Sequence, residues 1–206
     1  MMHRVLVVLM MGLLAVPLVA QAPKDLKVRV DRSTDASDPD DTPELKVVTM
    51  GTGFRVTGGP AGVFWKPAQT AAGSYTLRGT FNLMKPSGHV NYYGLVFGGS
   101  DLNAASQAYT YFVIGQNGTF QVRQRAGEAA TSVLGRTPHD AVKQPGAQGT
   151  SANVLEVRVA GDTVSYVVNG VVVHTTPKTA VKTDGIVGVR VNHQLDVHVD
   201  GFEIRR

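Results

Sequence analysis

The alternation of apolar and polar residues toward the C-terminus constrains the fold of this chain more than any other feature. It extends over the runs 153–160, 162–169, 171–176, 186–192 and 195–204, in which valine dominates. A period of two places neighbouring side chains on opposite faces of a strand, so each run has one dry face and one wet face. The pattern therefore predicts antiparallel β-strands separated by short turns.

The rest of the chain continues the same pattern. Further strands are predicted at 26–30, 45–50, 53–57, 62–65, 74–84, 90–98, 108–115, 119–125 and 131–136. No segment has the period of a long amphipathic helix, and a polar, glycine-rich stretch at 139–151 indicates a surface loop. This many strands exceeds an immunoglobulin sandwich and favours an all-β fold, a two-sheet antiparallel jelly-roll sandwich.

Two Asn-Gly pairs predict hairpins. The first is Asn169-Gly170 and the second is Asn117-Gly118, each between two alternating runs. A two-residue loop at the second pair would place Phe112 opposite Arg123 on the neighbouring strand. A longer loop would change that pairing.

The first twenty residues have the composition of a signal peptide. Arg4 precedes an apolar run over 5–19, and small residues follow at Ala20 and Ala22. Cleavage after Ala20 is favoured over cleavage after Ala22, because Pro23 would directly follow the second site. The run falls short of the roughly 20 residues of a spanning helix, although an N-terminal anchor is the alternative. We expect a bacterial periplasmic or secreted protein with no membrane span after cleavage.

Composition narrows the classes of partner and cofactor. The chain has no cysteine, which excludes disulfides and cysteine-ligated metals, and fits bacterial export. The net charge is +4, yet no more than two basic residues are adjacent, so nucleic-acid binding is not expected. Residues 21–44 comprise an N-terminal strand and an acidic loop, and 45–206 form one domain. The acidic loop lacks the spacing of a known calcium site, so a solvated loop is the favoured interpretation.

Several segments resemble a known family of domains. Residues 53–59, 73–81 and 93–97, together with Gly185-Ile-Val-Gly and the final strand with Phe202, resemble concanavalin A-like sandwich domains. The resemblance is to the laminin-G type and to bacterial 3-keto-disaccharide hydrolase-like domains, over roughly residues 45–206. Other segments are similar to uncharacterised exported bacterial proteins. The resemblance implies a jelly-roll fold and a carbohydrate partner.

The chain departs from the catalytic members of this fold in its carboxylates. The retaining glucanases that share the fold carry a Glu-x-Asp-x-x-Glu or Glu-x-Asp-x-Glu strand, which this sequence lacks. Glu128, Glu156 and Glu203 are isolated. A glycosidase needs two carboxylates flanking the scissile bond, and no such pair can be assigned.

Two polar segments are candidates for ligand contact. Asp101 and Asn103 follow Gly98-Gly99 and offer oxygens to sugar hydroxyls or calcium, although a simple turn is the favoured interpretation. Asp196 and His198 share one face of the last predicted strand, and His193 precedes them. These three side chains would suit glycan contact, acid–base chemistry or a metal, although a solvated outer face is the favoured interpretation.

Aromatic residues are the other possible sugar contacts, because sugars stack on flat rings. The candidates are Trp65, Tyr92, Tyr93, Tyr109, Tyr111 and Phe112. Alternation along the strands implies that about half of them belong to the core. Trp65 fits either a packing role or a ligand platform.

These observations favour an exported, non-catalytic module that binds a glycan or cell-envelope polysaccharide, with no cofactor required. The residues expected near the contact surface are Asp101, Asn103, Phe112, Arg123, His193, Asp196 and His198. One alternative is a sugar hydrolase of the 3-keto-disaccharide type, with Asp101, Asp196 and His198 as acid–base candidates. Another is a structural or adhesive envelope protein with an exposed sheet edge. Convergence of these side chains in one cleft would indicate a site.

Overall fold

The computed structural model describes residues 21–31 and 44–206. The predicted signal peptide and most of the predicted acidic loop lie outside the described residues. The described part contains one short 3₁₀ helix, Lys178–Ala180, and no helix there is long and apolar enough to cross a membrane. The strands are β1 Lys27–Asp31, β2 Lys46–Met50, β3 Gly53–Thr57, β4 Ala61–Ala71, β5 Tyr75–Lys85, β6 Tyr92–Ser100, β7 Ala108–Gly115, β8 Thr119–Ala126, β9 Ala129–Pro138, β10 Ser151–Ala160, β11 Thr163–Val168, β12 Val171–Pro177, β13 Gly185–Val191 and β14 Asp196–Arg205.

The strands form two seven-stranded antiparallel sheets packed face to face. Sheet A has the order β1-β4-β13-β6-β7-β8-β9, and sheet B has the order β12-β11-β10-β5-β14-β3-β2. Strands that follow one another in the chain, such as β5 and β6, lie in different sheets. The predicted two-sheet jelly-roll sandwich is therefore confirmed.

Every predicted strand is present, and the largest difference is the length of β4. The sequence predicts a strand over 62–65, because Lys66 and Pro67 interrupt the apolar run. The observed strand continues to Ala71. Its pairing with β1 ends at Trp65, and its pairing with β13 is irregular between Ile186 and Gly188. Pro67 lies in this irregular stretch, between the paired residues Trp65 and Thr70. Its missing N–H therefore removes no regular ladder hydrogen bond, and the strand continues past it.

The core lies between the sheets and is built from the dry row of each strand. Large apolar side chains from both sheets meet there, among them Phe81, Leu95 and Phe97. Phe112 belongs to this core and is 0% exposed. Its expected place near the contact surface is therefore wrong. In β7 alternate residues face opposite sides, and the row that contains Phe112 is the inner one.

The Asn169-Gly170 hairpin forms as predicted. Val168 pairs with Val171, so the loop has two residues. Asn169 and Gly170 have φ of 51° and 85°, the left-handed values that a primed hairpin turn requires.

The second Asn-Gly hairpin differs from its predicted register. Phe112 pairs with Val122, whereas the two-residue loop predicted Arg123 as its partner. The loop has three residues, because Gly118 adopts φ 80° and donates its backbone N–H to the Gly115 carbonyl at 3.1 Å. This is the common three-residue hairpin with a glycine bulge. As a result, Arg123 lies opposite Tyr111 on the outer face of sheet A.

Candidate functional site

The outer face of sheet A carries a second packed cluster, separate from the core between the sheets. Strands β6 and β7, in the middle of sheet A, are apolar on both of their faces. The buried members of this outer cluster are Val63, Trp65, Tyr92, Val96, Leu102, Tyr109, Tyr111 and Val113. Leu102 comes from the loop after β6, which therefore covers part of the face. An apolar sheet face is stabilised when other parts of the chain cover it, as Leu102 and its loop do here.

A buried ionic cluster lies at one end of this face. Arg190 of β13 donates from Nη1 to Asp31 Oδ2 at 2.7 Å and to the Tyr109 hydroxyl at 2.9 Å. Arg29 Nε reaches Asp31 Oδ1 at 3.2 Å, and Arg125 Nη1 lies 3.6 Å from Oδ2. Burial alone would raise the pKa of Asp31, but the surrounding arginines, Arg190 above all, hold that pKa below its usual value.

A polar cleft of about 250 Å³ opens beside the ionic cluster, over β13, β6, β7 and β8. We call it the arginine cleft. Its polar lining consists of His89, Asn91, Tyr92, Tyr111, Gln121, Arg123, Arg136, Arg190, Asn192 and His193. Val90 and Val113 complete the lining, which contains neither Asp nor Glu among the described residues.

Arg123 and Arg136 are carried by neighbouring strands. Arg123 donates from Nη2 to the Ala130 carbonyl at 2.9 Å, and its buried Nε has no hydrogen-bond partner. Between Phe120 and Val122, the pairing of β8 with β9 is interrupted by a bulge. Gln121 therefore lies beside Arg136, and bulges commonly re-aim side chains in this way.

The two tyrosines of the cleft are covered by arginines. The Arg136 guanidinium lies over the Tyr92 ring at 5.3 Å, and that of Arg190 lies over the Tyr111 ring at 5.3 Å. The tyrosines are only 2% and 6% exposed. Such cation–π contacts are attractive, and they place each guanidinium over a ring face. The cleft therefore presents arginine hydrogen-bond donors where the sequence predicts flat aromatic platforms.

A histidine pair forms one side of the cleft. His193 Nε2 and His89 Nε2 are 2.7 Å apart, with ring centroids 4.8 Å apart. Asn91 Nδ2 contacts His89 Nε2 at 3.2 Å and donates to Ser87 Oγ at 3.1 Å. These contacts join the loop before β6 to the loop after β13. The loops thereby shape the cleft.

The predicted site residues on this side of the molecule divide between two places. Arg123 and His193 both line the arginine cleft. Asp101 and Asn103 are exposed in the loop after β6, and neither is among the cleft residues. The backbone carbonyl of Asp101 accepts the Ala104 N–H at 2.7 Å, as in a turn.

Asp196 and His198 lie on the outer face of sheet B. Asp196 accepts both Nε and Nη2 of Arg55, with the Nε contact at 2.7 Å. Hydrogen bonding to Asp196 raises the pKa of Arg55. His198 Nε2 contacts the Met50 carbonyl at 3.2 Å. The predicted group of His193, Asp196, His198 and Asp101 therefore does not converge in one cleft.

Sequence reasoning did not select six of the polar cleft residues as contacts. They are His89, Asn91, Gln121, Arg136, Arg190 and Asn192. Gln121 and Arg123 are two residues apart in β8 and share one face in either hairpin register, so alternation along the strand is the signal that points to Gln121. Arg190 sits in a run that reads as an ordinary strand, and Arg136 follows a bulge that the sequence does not mark. Across residues 21–31 and 44–206, no three His, Asp or Glu side chains gather as a metal site, and the calcium hypotheses stay predictions.

Comparison with known proteins reveals likeness at the level of structure. The sequence matches no protein-family model and no curated protein. Among solved structures, the carbohydrate-binding module CBM66 from Bacillus subtilis superposes with a TM-score of 0.62 at 11% identity, over 79% of this chain and 92% of that chain. A mixed-linkage glucan GH16 protein of Bacteroides ovatus, in complex with a G4G4G3G product, gives 0.58 at 8% identity over 90% and 96%.

A third structure agrees with these two. The Bacillus licheniformis β-glucanase gives a TM-score of 0.53 at 9% identity, over 87% of this chain and 92% of that chain. The chain therefore has the concanavalin A-like jelly-roll fold. At identities this low, the likeness establishes the fold alone, and any activity has to be argued from the residues of the site.

Proposed function

We propose that the chain is an exported carbohydrate-binding module, which binds a glycan of the cell envelope or its surroundings in the arginine cleft without cleaving it. The fold it shares with CBM66 and with the GH16 protein supports a carbohydrate partner. The signal-peptide pattern of residues 1–20 supports export. The observation that carries the proposal is the arginine cleft.

The cleft has the chemistry that sugar recognition requires. Sugar hydroxyls both donate and accept hydrogen bonds, and amides offer both functions while guanidinium groups donate. Gln121 and Asn192 supply amides, and Arg123 and Arg136 supply donors. A concave site with a few convergent polar groups is the usual form of a small-ligand site.

The lining favours binding over hydrolysis. Hydrolysis by the common mechanisms places two carboxyl groups about 5 to 9.5 Å apart across the scissile bond. The described residues that line the cleft carry no carboxylate. Asp196, which the hydrolase alternative would use, accepts a hydrogen bond from Arg55. Both residues lie on sheet B, whereas the cleft lies on sheet A.

Binding can be tested by affinity electrophoresis and titration calorimetry of residues 21–206 against neutral and acidic polysaccharides. We expect retention by at least one glycan, with no release of reducing ends. Gln121→Ala should weaken that binding roughly tenfold, because it removes one hydrogen-bonding side chain from the cleft.

Asn82→Ala is the matched control, because Asn82 is an amide on β5 of sheet B, away from the cleft. It should leave affinity unchanged. Failure to bind any glycan, or an equal loss of affinity in both variants, would remove the arginine cleft as the binding site. Release of reducing ends would point to an enzyme instead.

A further inference from the structure

We propose that the glycan bound by the arginine cleft is acidic, and that a uronic-acid carboxylate binds at Arg123 and Arg136. This inference rests on the proposed function and specifies the class of sugar. Three observations support it: the excess of arginines in the described lining, the contacts of the Arg123 and Arg136 guanidinium groups, and the arginines that cover the tyrosine rings.

The described lining of the cleft carries an excess of positive charge. Three arginines line it, and among the described residues only Arg190 has a carboxylate partner, Asp31. Among the described residues, neither Arg123 nor Arg136 forms a salt bridge. Cations lined up in a concave site attract anions, because low-dielectric walls focus their field. A neutral sugar has no charge and would gain nothing from this electrostatic attraction.

Each of these two guanidinium groups makes a contact within the described part of the chain, and an arginine carries five N–H donors in all. The Ala130 carbonyl accepts a hydrogen bond from Arg123, and the Tyr92 ring lies under Arg136. A planar carboxylate matches the donor fork of arginine, and such charge-assisted hydrogen bonds are stronger than neutral ones.

The aromatic rings of the cleft do not offer the alternative mode of recognition. Neutral sugars commonly gain affinity by stacking on exposed rings. The faces of Tyr92 and Tyr111 are covered by Arg136 and Arg190. Selectivity in this cleft therefore comes from charge and hydrogen bonding.

The first experiment compares polymers that differ only in their carboxylates. Polygalacturonate, alginate and hyaluronan are titrated alongside their carboxyl-reduced forms, in which each uronic acid becomes a neutral sugar. We expect at least one acidic polymer to bind about tenfold or more tightly than its reduced form, with affinity falling as salt rises.

The second experiment assigns the effect to the cleft. Arg123→Gln and Arg136→Gln should each weaken binding of the acidic polymer about tenfold, and weaken binding of the reduced form by a clearly smaller factor, because a hydroxyl loses only a neutral hydrogen bond. Lys46→Gln is the matched control for net charge, because Lys46 is exposed on β2 of sheet B. Circular dichroism and thermal unfolding confirm that each variant is folded.

The outcomes separate the two proposals. Equal affinity for a polymer and its carboxyl-reduced form would overturn the acidic-sugar inference and leave glycan binding intact. Preference for a sulfated polymer over every uronate would also overturn it. An effect of Lys46→Gln as large as that of Arg123→Gln would show non-specific attraction and overturn it as well. Binding to no polysaccharide would defeat the proposed function itself.

Discussion

Arg190 joins several elements through one side chain. Its guanidinium contacts Asp31 at the end of β1, and the Tyr109 hydroxyl of β7. It also lies over the Tyr111 ring on the floor of the arginine cleft. A cation this deeply buried is stable only because a carboxylate is paired with it. At the scale of single residues, Asp31 therefore supports the cleft without belonging to its lining.

Replacing Asp31 tests this dependence. Asp31→Asn leaves Arg190 buried without its counter-charge, and we expect the free energy of unfolding at pH 7 to fall by about 3 kcal/mol. Urea unfolding measures the loss. Glu128→Gln removes one carboxylate from an exposed position and should change stability by less than about 0.5 kcal/mol. Equal stability of Asp31→Asn and wild type would contradict the assigned role.

The same pair predicts a dependence on pH. Because the pKa of Asp31 is lower in the folded protein than in the unfolded chain, its carboxylate stabilises the fold above the unfolded pKa, roughly 3.9. That contribution disappears as the pH falls through the folded pKa. The stability difference between wild type and Asp31→Asn should therefore be constant above about pH 5 and shrink below pH 4. A difference that grows on acidification would refute the assignment.

At the scale of elements, the β7–β8 hairpin decides which side chains reach the cleft. A shift of one residue in register changes every partner across the pair. The glycine bulge at Gly118 sets the register that places Arg123 opposite Tyr111. The bulge between β8 and β9 then places Arg136 beside Gln121. Turn geometry therefore positions Arg123 and Arg136 in the cleft.

Gly118→Ala tests the turn. A side chain at φ 80° is strained, and its Cβ would lie 2.7 Å from the flexible end of Gln144. We expect a loss of about 1 to 2 kcal/mol in unfolding free energy. Gly135→Ala is the matched control, because Gly135 is in β9 with nothing within 4 Å of the added Cβ. Similar unfolding midpoints for the two variants would contradict this account of the loop.

At the scale of the whole molecule, the two outer faces have separate roles. Sheet A carries the arginine cleft, and the outer face of sheet B carries ion pairs such as Arg55–Asp196 and Arg158–Glu156. The faces are separated by the thickness of the sandwich core. We therefore expect substitutions on sheet B to change stability and to leave glycan affinity unaltered.

Asp196→Asn tests this separation with a residue that the sequence predicted as a contact. Losing the charge-assisted hydrogen bonds from Arg55 should lower the free energy of unfolding by about 2 kcal/mol. Glycan affinity, measured well below the unfolding temperature, should match wild type. A drop in affinity comparable to that of Arg123→Gln would show that the two faces cooperate in binding.

The predicted site residues illustrate how far sequence reasoning reaches. Arg123 and His193 were selected and lie in the cleft, whereas Asp196 and His198 lie on the other sheet. Phe112 was misplaced because an aromatic residue in a strand that is apolar on both faces gives no sign of its side. Arg136 and Arg190 were missed because their importance depends on neighbours from other strands.

The sequence by itself determined the class of the fold, the number of strands and the Asn169-Gly170 hairpin, because alternation and turn chemistry act over a few neighbouring residues. The tertiary structure decided which strands share a sheet and which polar rows meet. Loop closure brings β13 beside β6 across about ninety residues of chain, a contact for which no local pattern exists. That long-range pairing brings Arg190 into the sheet whose strands β8 and β9 carry Arg123 and Arg136, and so completes the arginine cleft.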